Sequence, residues 1–320
     1  MNIKEEILGI LESNKGEYIS GQQLAERMSV SRNAIWKAVN RLKTEGYNIE
    51  SVTNKGYCLR AGSDVLSKEA ILFHCTPAEL YFYDEIDSTN EEAKRLATKG
   101  AVHGSLVVAN KQTMGKGRRG RSFYSPADTG VYMSILIRPQ LEFSESVFVT
   151  TAASVAVARA ISRVYGLDSQ IKWVNDIYLG GHKVCGILSE AVTDFESGTI
   201  DSIIVGIGVN VKTTDFPDDI ACRAGSLIAE RPSDGARSTL TAEIYNQFMA
   251  LSDALPDKSF MNEYRNRSMV IGKAIRYTKK NEWVNGIAVD IDADGGLVVD
   301  SELEGRITLS SGEITIRLND

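Results

Sequence analysis

Three glycines are interleaved with four cations in the segment Gly115-Lys-Gly-Arg-Arg-Gly-Arg121, which we call the glycine loop. An apolar run at 105–110 precedes it and a second at 131–137 follows it, so the pattern predicts a strand on each side. Glycine lets a backbone approach a ligand closely. Cations and exposed N–H groups can then surround anionic oxygens. The segment therefore predicts a loop between two strands that holds a phosphorylated or carboxylated ligand.

The glycine loop also matches G-x-G-x-x-G, the dinucleotide-binding fingerprint, but its context differs from that fold. A Rossmann glycine turn opens directly into a helix. Here the residues of turn-forming type at 123–130 follow instead. A solvated basic loop is the alternative, and it explains the charges but not the regular glycines.

Composition narrows the classes of protein. The chain has 320 residues, 43% hydrophobic and 24% charged, which is typical of a globular protein of two or three domains. We expect a cytoplasmic protein, because no run approaches the length of a membrane span and the N-terminus lacks signal-peptide features. The four scattered cysteines argue against disulfides and structural zinc, and the three isolated histidines against a catalytic triad. A net charge of −6 argues against a protein that binds nucleic acid over most of its surface, but it is compatible with one small basic module.

The first sixty residues contain such a module. Apolar residues from Ile3 to Leu11 have helical spacing, and Ser20 and Ser31 are expected to cap two further helices. Five basic residues and no acid lie between Arg27 and Lys43. Two short strands at 46–52 and 56–59 follow. The pattern predicts a winged helix-turn-helix that binds DNA, with a three-helix interaction module as the alternative.

The expected DNA contacts lie off the apolar stripe of the last helix and on the wing. Trp36 is ambiguous, and we expect it to pack beneath the wing rather than to touch DNA. The predicted DNA-binding set is Ser31, Arg32, Asn33, Trp36, Lys37, Asn40, Arg41 and Lys55.

Strand-like and helix-like patterns alternate through the middle of the chain. They predict a mixed β-sheet with helices on one side, an α+β layer. From Val270 onward, short strands with tight turns predict a small β-barrel. The expected domains are therefore residues 1–62, 63–268 and 269–320.

Two further segments carry chemistry. Ser88-Thr-Asn-Glu91 matches a capping box, but the same helix N-terminus can also offer N–H groups to a ligand. Lys172 and Lys183 lie in apolar strands, where a charge is costly unless it is paired. Asn175-Asp176 can be a turn or can hold Mg²⁺ through oxygen ligands.

In combination these segments resemble the biotin–protein ligases. The resemblance covers essentially the whole chain, and the winged helix makes it similar to the bifunctional members, which are both ligase and repressor of the biotin operon. The motifs that carry it are Ser88-Thr-Asn90, Gln112 with the glycine loop, Lys172-Trp-Val-Asn-Asp176, Lys183-Val-Cys-Gly-Ile-Leu188 and Gly206-Ile-Gly-Val-Asn210.

The resemblance implies a fold, a reaction and partners. The fold is a winged helix-turn-helix, a biotin/lipoate ligase-like mixed sheet and an SH3-like β-barrel. Biotin and ATP, with Mg²⁺, would form biotinyl-5′-AMP and pyrophosphate. A lysine of the biotin carboxyl carrier protein of an acetyl-CoA-carboxylase-type enzyme would then take the biotin. Operator DNA and a homodimer promoted by the adenylate are the other implied partners.

The resemblance also implies residue roles. Lys183, Arg118, Lys172 and Asp176 are the expected catalytic residues, with Asp176 the possible Mg²⁺ contact. Biotin and adenylate are expected at Ser88, Thr89, Asn90, Gln112, Gly115, Lys116, Gly117, Arg118, Asn175, Lys183, Gly186 and Asn210.

The chain departs from the family pattern at three positions, where Met114 stands for Ala, Lys116 for Arg and Val174 for Pro. None removes a hydrogen-bond donor, but loop kinetics and adenylate retention could differ. Three other functions stay open. They are a ligand-sensing regulator without ligase activity, a lipoate-type ligase, and a ligase whose winged helix no longer binds DNA.

Overall fold

The computed structural model describes residues 3–60, 64–138, 146–193, 200–228, 235–253, 255–280, 282–310 and 314–316. At the N-terminus, α1 (Ile3–Ser13), α2 (Gly21–Met28) and α3 (Arg32–Thr44) pack around one apolar core. Strands β1 (Ile49–Val52) and β2 (Gly56–Leu59) form an antiparallel wing. The predicted winged helix-turn-helix is confirmed. The expected domain boundary at 62/63 lies outside the described residues.

The two predicted serine caps are present. Ser20 Oγ accepts from the backbone N of Gln23 at 3.1 Å. The Gln23 side-chain oxygen accepts in turn from the backbone N of Ser20, which completes a capping box. Ser31 Oγ accepts from the backbone N of Ala34 at 3.2 Å. These caps set where α2 and α3 begin.

A seven-stranded mixed sheet forms the centre of the molecule, in the order β3-β4-β5-β9-β8-β7-β6. Strands β3 and β4 are parallel and the other neighbours are antiparallel. The strands are β3 (Leu80–Ile86), β4 (Ser105–Gln112), β5 (Gly130–Ile137), β6 (Gln170–Lys172), β7 (Asp176–Leu179), β8 (His182–Thr193) and β9 (Ile200–Asn210).

Helices cover both faces of this sheet, which corrects the expectation of a single helical side. Helix α5 (Thr89–Thr98) packs on one face, against Val107, Leu136 and Ile204. Helices α6 (Ser146–Tyr165) and α8 (Ala236–Asp253) pack on the other. Strand β5 is buried throughout because helices cover both of its faces. The remaining helices are α4 (Lys68–His74), α7 (Asp218–Ala221) and α9 (Met261–Asn266).

Helix α6 is long and apolar enough to cross a membrane, contrary to the sequence expectation, but most of this helix is buried inside the fold. Its alanines and valines pack in the central core. Such a helix is the core of a layered domain rather than a lipid-facing segment.

A five-stranded antiparallel sheet ends the chain, in the order β13-β12-β11-β10-β14. Its strands are β10 (Ala274–Lys279), β11 (Glu282–Ile291), β12 (Leu297–Ser301), β13 (Gly305–Leu309) and β14 (Ile314–Ile316). Its buried residues are continuous with the central core. Trp173 Nε1 donates to the Gly295 carbonyl at 3.0 Å and joins the two domains.

Candidate functional site

The glycine loop lies between β4 and β5, as predicted, and closes on itself. A single 3₁₀ turn occupies 118–120, and no helix follows before β5. The backbone N of Gly117 donates to the Arg121 carbonyl at 2.7 Å. A Cβ on Gly115 would lie 2.5 Å from the Phe123 carbonyl and 2.8 Å from Ser125 Oγ, so only glycine fits there. The strand–loop–strand context excludes the dinucleotide turn.

Gln112, at the end of β4, anchors a hydrogen-bonded relay beneath this loop. Its Oε1 accepts from the backbone N of Thr89 at 2.8 Å and from Thr89 Oγ1 at 3.1 Å. Its Nε2 donates to Ser125 Oγ at 2.9 Å. The backbone donor of Thr89 sets the orientation of the amide. Two of the predicted ligand-binding residues, Thr89 and Gln112, are therefore in direct contact.

Asn90 is buried, and its polar atoms are already used within the protein. Its Oδ1 accepts from Ser134 Oγ at 2.6 Å, and its Nδ2 donates to Glu190 at 2.8 Å. A Cβ on Gly206 would lie only 2.0 Å from Asn90 Oδ1. Asn90 therefore packs against β9 and supports its neighbour Thr89.

Ser88 is the N-cap residue of α5 and is 1% exposed, but its side chain makes no capping hydrogen bond. The capping-box alternative with Glu91 is therefore not formed. Glu91 instead lies 2.7 Å from Lys116 and 2.9 Å from Lys94. The hydrogen bond from Lys116, then that from Lys94, lowers the pKa of Glu91 below its ordinary value.

Lys183 and Asp176 form an ion pair on adjacent strands, with Nζ 2.5 Å from Oδ1. A Cβ on Gly186 would lie 3.3 Å from Lys183 Nζ and 3.3 Å from the Phe123 ring. A Cβ on Gly208 would lie 2.5 Å from the same ring. The missing side chains at Gly186 and Gly208 make room for the Phe123 ring, which packs on the sheet beside the Lys183 amine.

Arg118 connects the glycine loop to the neighbouring Asn175. Its Nη1 donates to Asn175 Oδ1 at 3.0 Å, and Asn175 Nδ2 donates to the Ile187 carbonyl at 2.8 Å. Lys172 lies opposite Asp176 across β6 and β7, and its Nζ sits 5.7 Å from the centre of the Tyr178 ring. Lys172, Asp176 and Lys183 therefore lie on the neighbouring strands β6, β7 and β8, and Arg118 reaches them from the glycine loop through Asn175.

Asn210, at the end of β9, faces the segment 212–228. Its Nδ2 donates to the Gly225 carbonyl at 3.1 Å, whereas its Oδ1 is buried without a hydrogen-bond partner among the described atoms. Buried acceptors are usually hydrogen-bonded, so this oxygen is a candidate to accept a hydrogen bond from a ligand. The backbone N of Lys183 also donates to the Arg223 carbonyl at 2.8 Å, so the 212–228 segment lies beside the Lys183–Asp176 pair.

The winged module presents the expected basic face. Residues 31–33 at the start of α3, Lys37, Arg41 and Lys55 are exposed, and Asn40 is partly exposed. Trp36 is 54% exposed, so the expectation that it packs beneath the wing is wrong. The wing instead contacts α1 and α3, and Lys43 Nζ of α3 donates to Ser51 Oγ of β1 at 2.7 Å. Arg41 pairs with Glu45 at 3.2 Å.

Within the described ranges, no group of three or more His, Cys, Asp or Glu side chains could hold a metal ion. Sequence reasoning missed Ser125, Ser134, Phe123 and Glu190, which orient the predicted residues. Ser134 and Glu190 lie in β5 and β8, where a polar side chain in an apolar run was the available signal.

Comparisons with known proteins agree along the chain. The profile of the Biotin/lipoate A/B protein ligase family matches residues 82–210, an HTH domain matches 4–58, and the Biotin protein ligase C terminal domain matches 270–317. The bifunctional ligase/repressor BirA of Bacillus subtilis is 32% identical over 98% of both chains. That of Escherichia coli is 25% identical over 93% of this chain and 95% of its own. The biotin protein ligase of Aquifex aeolicus, in complex with biotin and ATP, superposes with a TM-score of 0.65 at 28% identity, covering 76% of this chain and 100% of that one.

Proposed function

This chain belongs to the bifunctional ligase/repressor family of biotin protein ligases, and we propose that it joins biotin to a carrier protein and represses biotin genes. The observation that supports the ligase assignment is that the predicted residues are grouped along one part of the central sheet. Thr89 and Gln112 lie at one end and the Lys183–Asp176 pair at the other, and the glycine loop with Phe123 lies over the glycines between them.

The reaction proceeds in two steps. A carboxylate oxygen of biotin attacks the α-phosphorus of ATP, and pyrophosphate leaves, so biotinyl-5′-AMP forms. The ε-amine of a carrier lysine, on a biotin carboxyl carrier protein of the acetyl-CoA-carboxylase type, then attacks the acyl carbon. AMP leaves and the amine loses its proton. No enzyme nucleophile takes part, so stabilising negative oxygens is the protein's main task.

Each part of the site has a role in this proposal. Lys183 lies beside the α-phosphate and the biotin carboxylate, with Asp176 holding its amine. Arg118 and Lys116 close over the adenylate. Ser88, Thr89 and Gln112 face the ureido ring, whose buried polar groups need partners, while Asn90 supports them. Asn175 and Asn210 face the nucleotide. Gly115, Gly117 and Gly186 give the backbone room, and Lys172 lies at the margin of the catalytic set.

Mg²⁺ enters with ATP in this proposal rather than occupying a site of its own. Mg²⁺ is usually held by one or two carboxylates plus substrate phosphates. Asp176 offers one carboxylate beside the proposed α-phosphate position, and it is already shared with Lys183. The donor set therefore fits a metal–nucleotide complex.

DNA binding and dimerisation complete the proposal. One winged helix makes few phosphate contacts, and two related by symmetry would read a palindromic operator. Strand β8 runs to Thr193, but β7 pairs with it only at residues 182–186. In the described structure, no strand therefore pairs with the outer side of β8 beyond residue 186. A cavity of about 260 Å³ borders this part of β8 and is lined by Arg118, Val147, Ser189 and Ser310 among others, so this part of β8 adjoins the glycine loop. We place the dimer contact at this edge, promoted by the adenylate, in a cytoplasmic protein.

A biotin-dependent exchange of labelled pyrophosphate into ATP tests the ligase. Exchange with biotin and none with lipoate is expected, followed by transfer to a carrier domain. Exchange with lipoate instead would assign the lipoate-type reaction, and no exchange with either would leave a ligand-sensing regulator. Selection of DNA from a random pool, with and without biotinyl-AMP, tests the repressor. A pool that enriches nothing would leave a ligase whose winged helix does not bind DNA.

A further inference from the structure

A nearly buried ion pair joins Asp64, which follows the winged module in the sequence, to the central domain. Arg237, at the start of α8, is 1% exposed, and the side chain of Asp64 is 7% exposed. Arg237 Nε donates to Asp64 Oδ2 at 2.9 Å, and Arg237 Nη2 donates to the Asp64 carbonyl at 2.6 Å. Lys212 Nζ lies 3.0 Å from the same Oδ2. One carboxylate therefore holds two cations from different parts of the chain.

This cluster reaches the bases of both loops at the ligase site. Arg237 Nη1 donates to Asn110 Oδ1 at 3.1 Å, and Asn110 Nδ2 donates to Asp128 Oδ1 at 3.0 Å. Asn110 and Asp128 bracket the connection that carries the glycine loop. Lys212 begins the 212–228 segment, and its backbone N donates to the Thr129 carbonyl at 2.8 Å. Both loops thus start from points tied to Asp64.

The residues after Asp64 are fixed to two different cores. Val65 packs against the core of the winged module, and Leu66 belongs to the central core. Ser238 Oγ donates to the Val65 carbonyl at 3.3 Å. The two residues that follow Asp64 therefore contact both the winged module and the central domain.

We propose that Asp64 is a positioning residue for the ligase reaction, which holds the bases of the glycine loop and of the 212–228 segment at the spacing that retains the adenylate. It acts through Arg237 and Lys212. Buried charges must be paired, and breaking such a pair leaves the partner uncompensated. A ligand site loses precision when the groups that support it shift. The inference rests on the proposed ligase function.

Two variants of the full-length chain test it. Asp64→Asn removes the charge but keeps the shape, and Lys212→Met removes the more exposed of the two cations. Both should raise the KM for biotin and the release rate of biotinyl-AMP by roughly two- to thirtyfold, the range for coupling through a packed network. The kcat at saturating biotin and ATP should stay near wild type. Lys212→Arg keeps the positive charge, so its KM for biotin and its release rate of biotinyl-AMP should stay near wild type.

Lys111→Met is the matched control. Lys111 follows Asn110 near the end of β4, but it pairs with Glu85 at the surface, 2.7 Å away. It should leave KM and release unchanged. If Asp64→Asn does not fold, Lys212→Met decides the matter. Folded Lys212→Met protein with wild-type KM and release would overturn the positioning role. Wild-type protein that forms no biotinyl-AMP would instead overturn the ligase function itself.

Discussion

Lys183 reaches Asp176 because β8 carries a bulge. The register shifts between Ile177 and Tyr178, so Tyr178 lies opposite Lys183 while Ile177 lies opposite Cys185. Strict alternation back from Gly186 would put Lys183 on the face of the buried Cys185. The bulge turns its side chain to the Gly186 face, where its Nζ lies 2.5 Å from Asp176 Oδ1. The bulge in β8 therefore places the Lys183 amine in the proposed ligase site.

Lys183→Ala should reduce biotin-dependent pyrophosphate exchange by about a hundredfold or more, the loss typical for one preorganised donor to a developing negative charge. Lys111→Ala, which removes a surface amine, should leave the exchange rate unchanged. Circular dichroism and thermal melting check that both proteins are folded. Wild-type exchange by folded Lys183→Ala protein would remove Lys183 from the mechanism.

Arg118→Gly should release biotinyl-AMP faster, by roughly ten- to a hundredfold, because a charge-assisted hydrogen bond is worth about 1.5–3 kcal/mol. The escaped anhydride should label bystander proteins, which biotin blotting detects. Arg119→Gly is the control, since Arg119 has φ 58°, a conformation that glycine adopts freely. Labelling that stays confined to the carrier in Arg118→Gly would show that Arg118 does not retain the adenylate.

Arg32→Ala and Trp36→Ala should each weaken DNA binding without affecting ligation, because both side chains are exposed on α3, away from the ligase site. A loss of about tenfold is expected for a recognition-helix contact. Fluorescence anisotropy on a selected DNA site gives the affinity, with Lys68→Ala, at an exposed position of α4, as the control. Equal losses in DNA binding and ligation would contradict separate sites.

Asp87→Asn should destabilise the protein at neutral pH but not in acid. The bidentate hydrogen bond from Arg95 lowers the pKa of Asp87 to about 2, below the roughly 3.9 of an unfolded chain. The stabilisation is therefore present above about pH 4 and is lost as the pH falls toward 2. Since both side chains are partly exposed, about 1 kcal/mol or less is at stake. Urea unfolding of both proteins at pH 7 and at pH 3 should show the difference narrowing, and a constant difference would contradict it.

Gly206→Ala should displace Asn90, because the added Cβ would lie 2.0 Å from its Oδ1. We expect a loss of about 1–3 kcal/mol in the free energy of unfolding and a higher biotin KM. Gly9→Ala is the opposite control, since nothing lies within 4 Å of its added Cβ, in α1. It should stabilise the protein by about 0.5–1 kcal/mol. Calorimetry measures the stability and pyrophosphate exchange measures the KM. An unaltered KM for folded Gly206→Ala would show that Asn90 does not support biotin binding.

Local signals carried much of the fold. The caps at Ser20 and Ser31, the apolar stripe of α3 and the apolar runs on both sides of the glycine loop act over a few residues, so the sequence alone predicted these elements. The motif spacing was likewise enough to indicate the ligase family. Those features depend on backbone conformation and on the period of side chains along one element.

Only the tertiary structure decided how distant residues meet. The bulge in β8 breaks the two-residue period and so changes the face of Lys183. Asn90 turned out to be held by Ser134 and Glu190, and Trp36 to lie exposed. Asp64 and Arg237 are in contact although 173 positions separate them in the sequence. A sequence states which charges are present, but the packing of separate elements determines which of them are buried together, because buried charges must find partners wherever the fold places them.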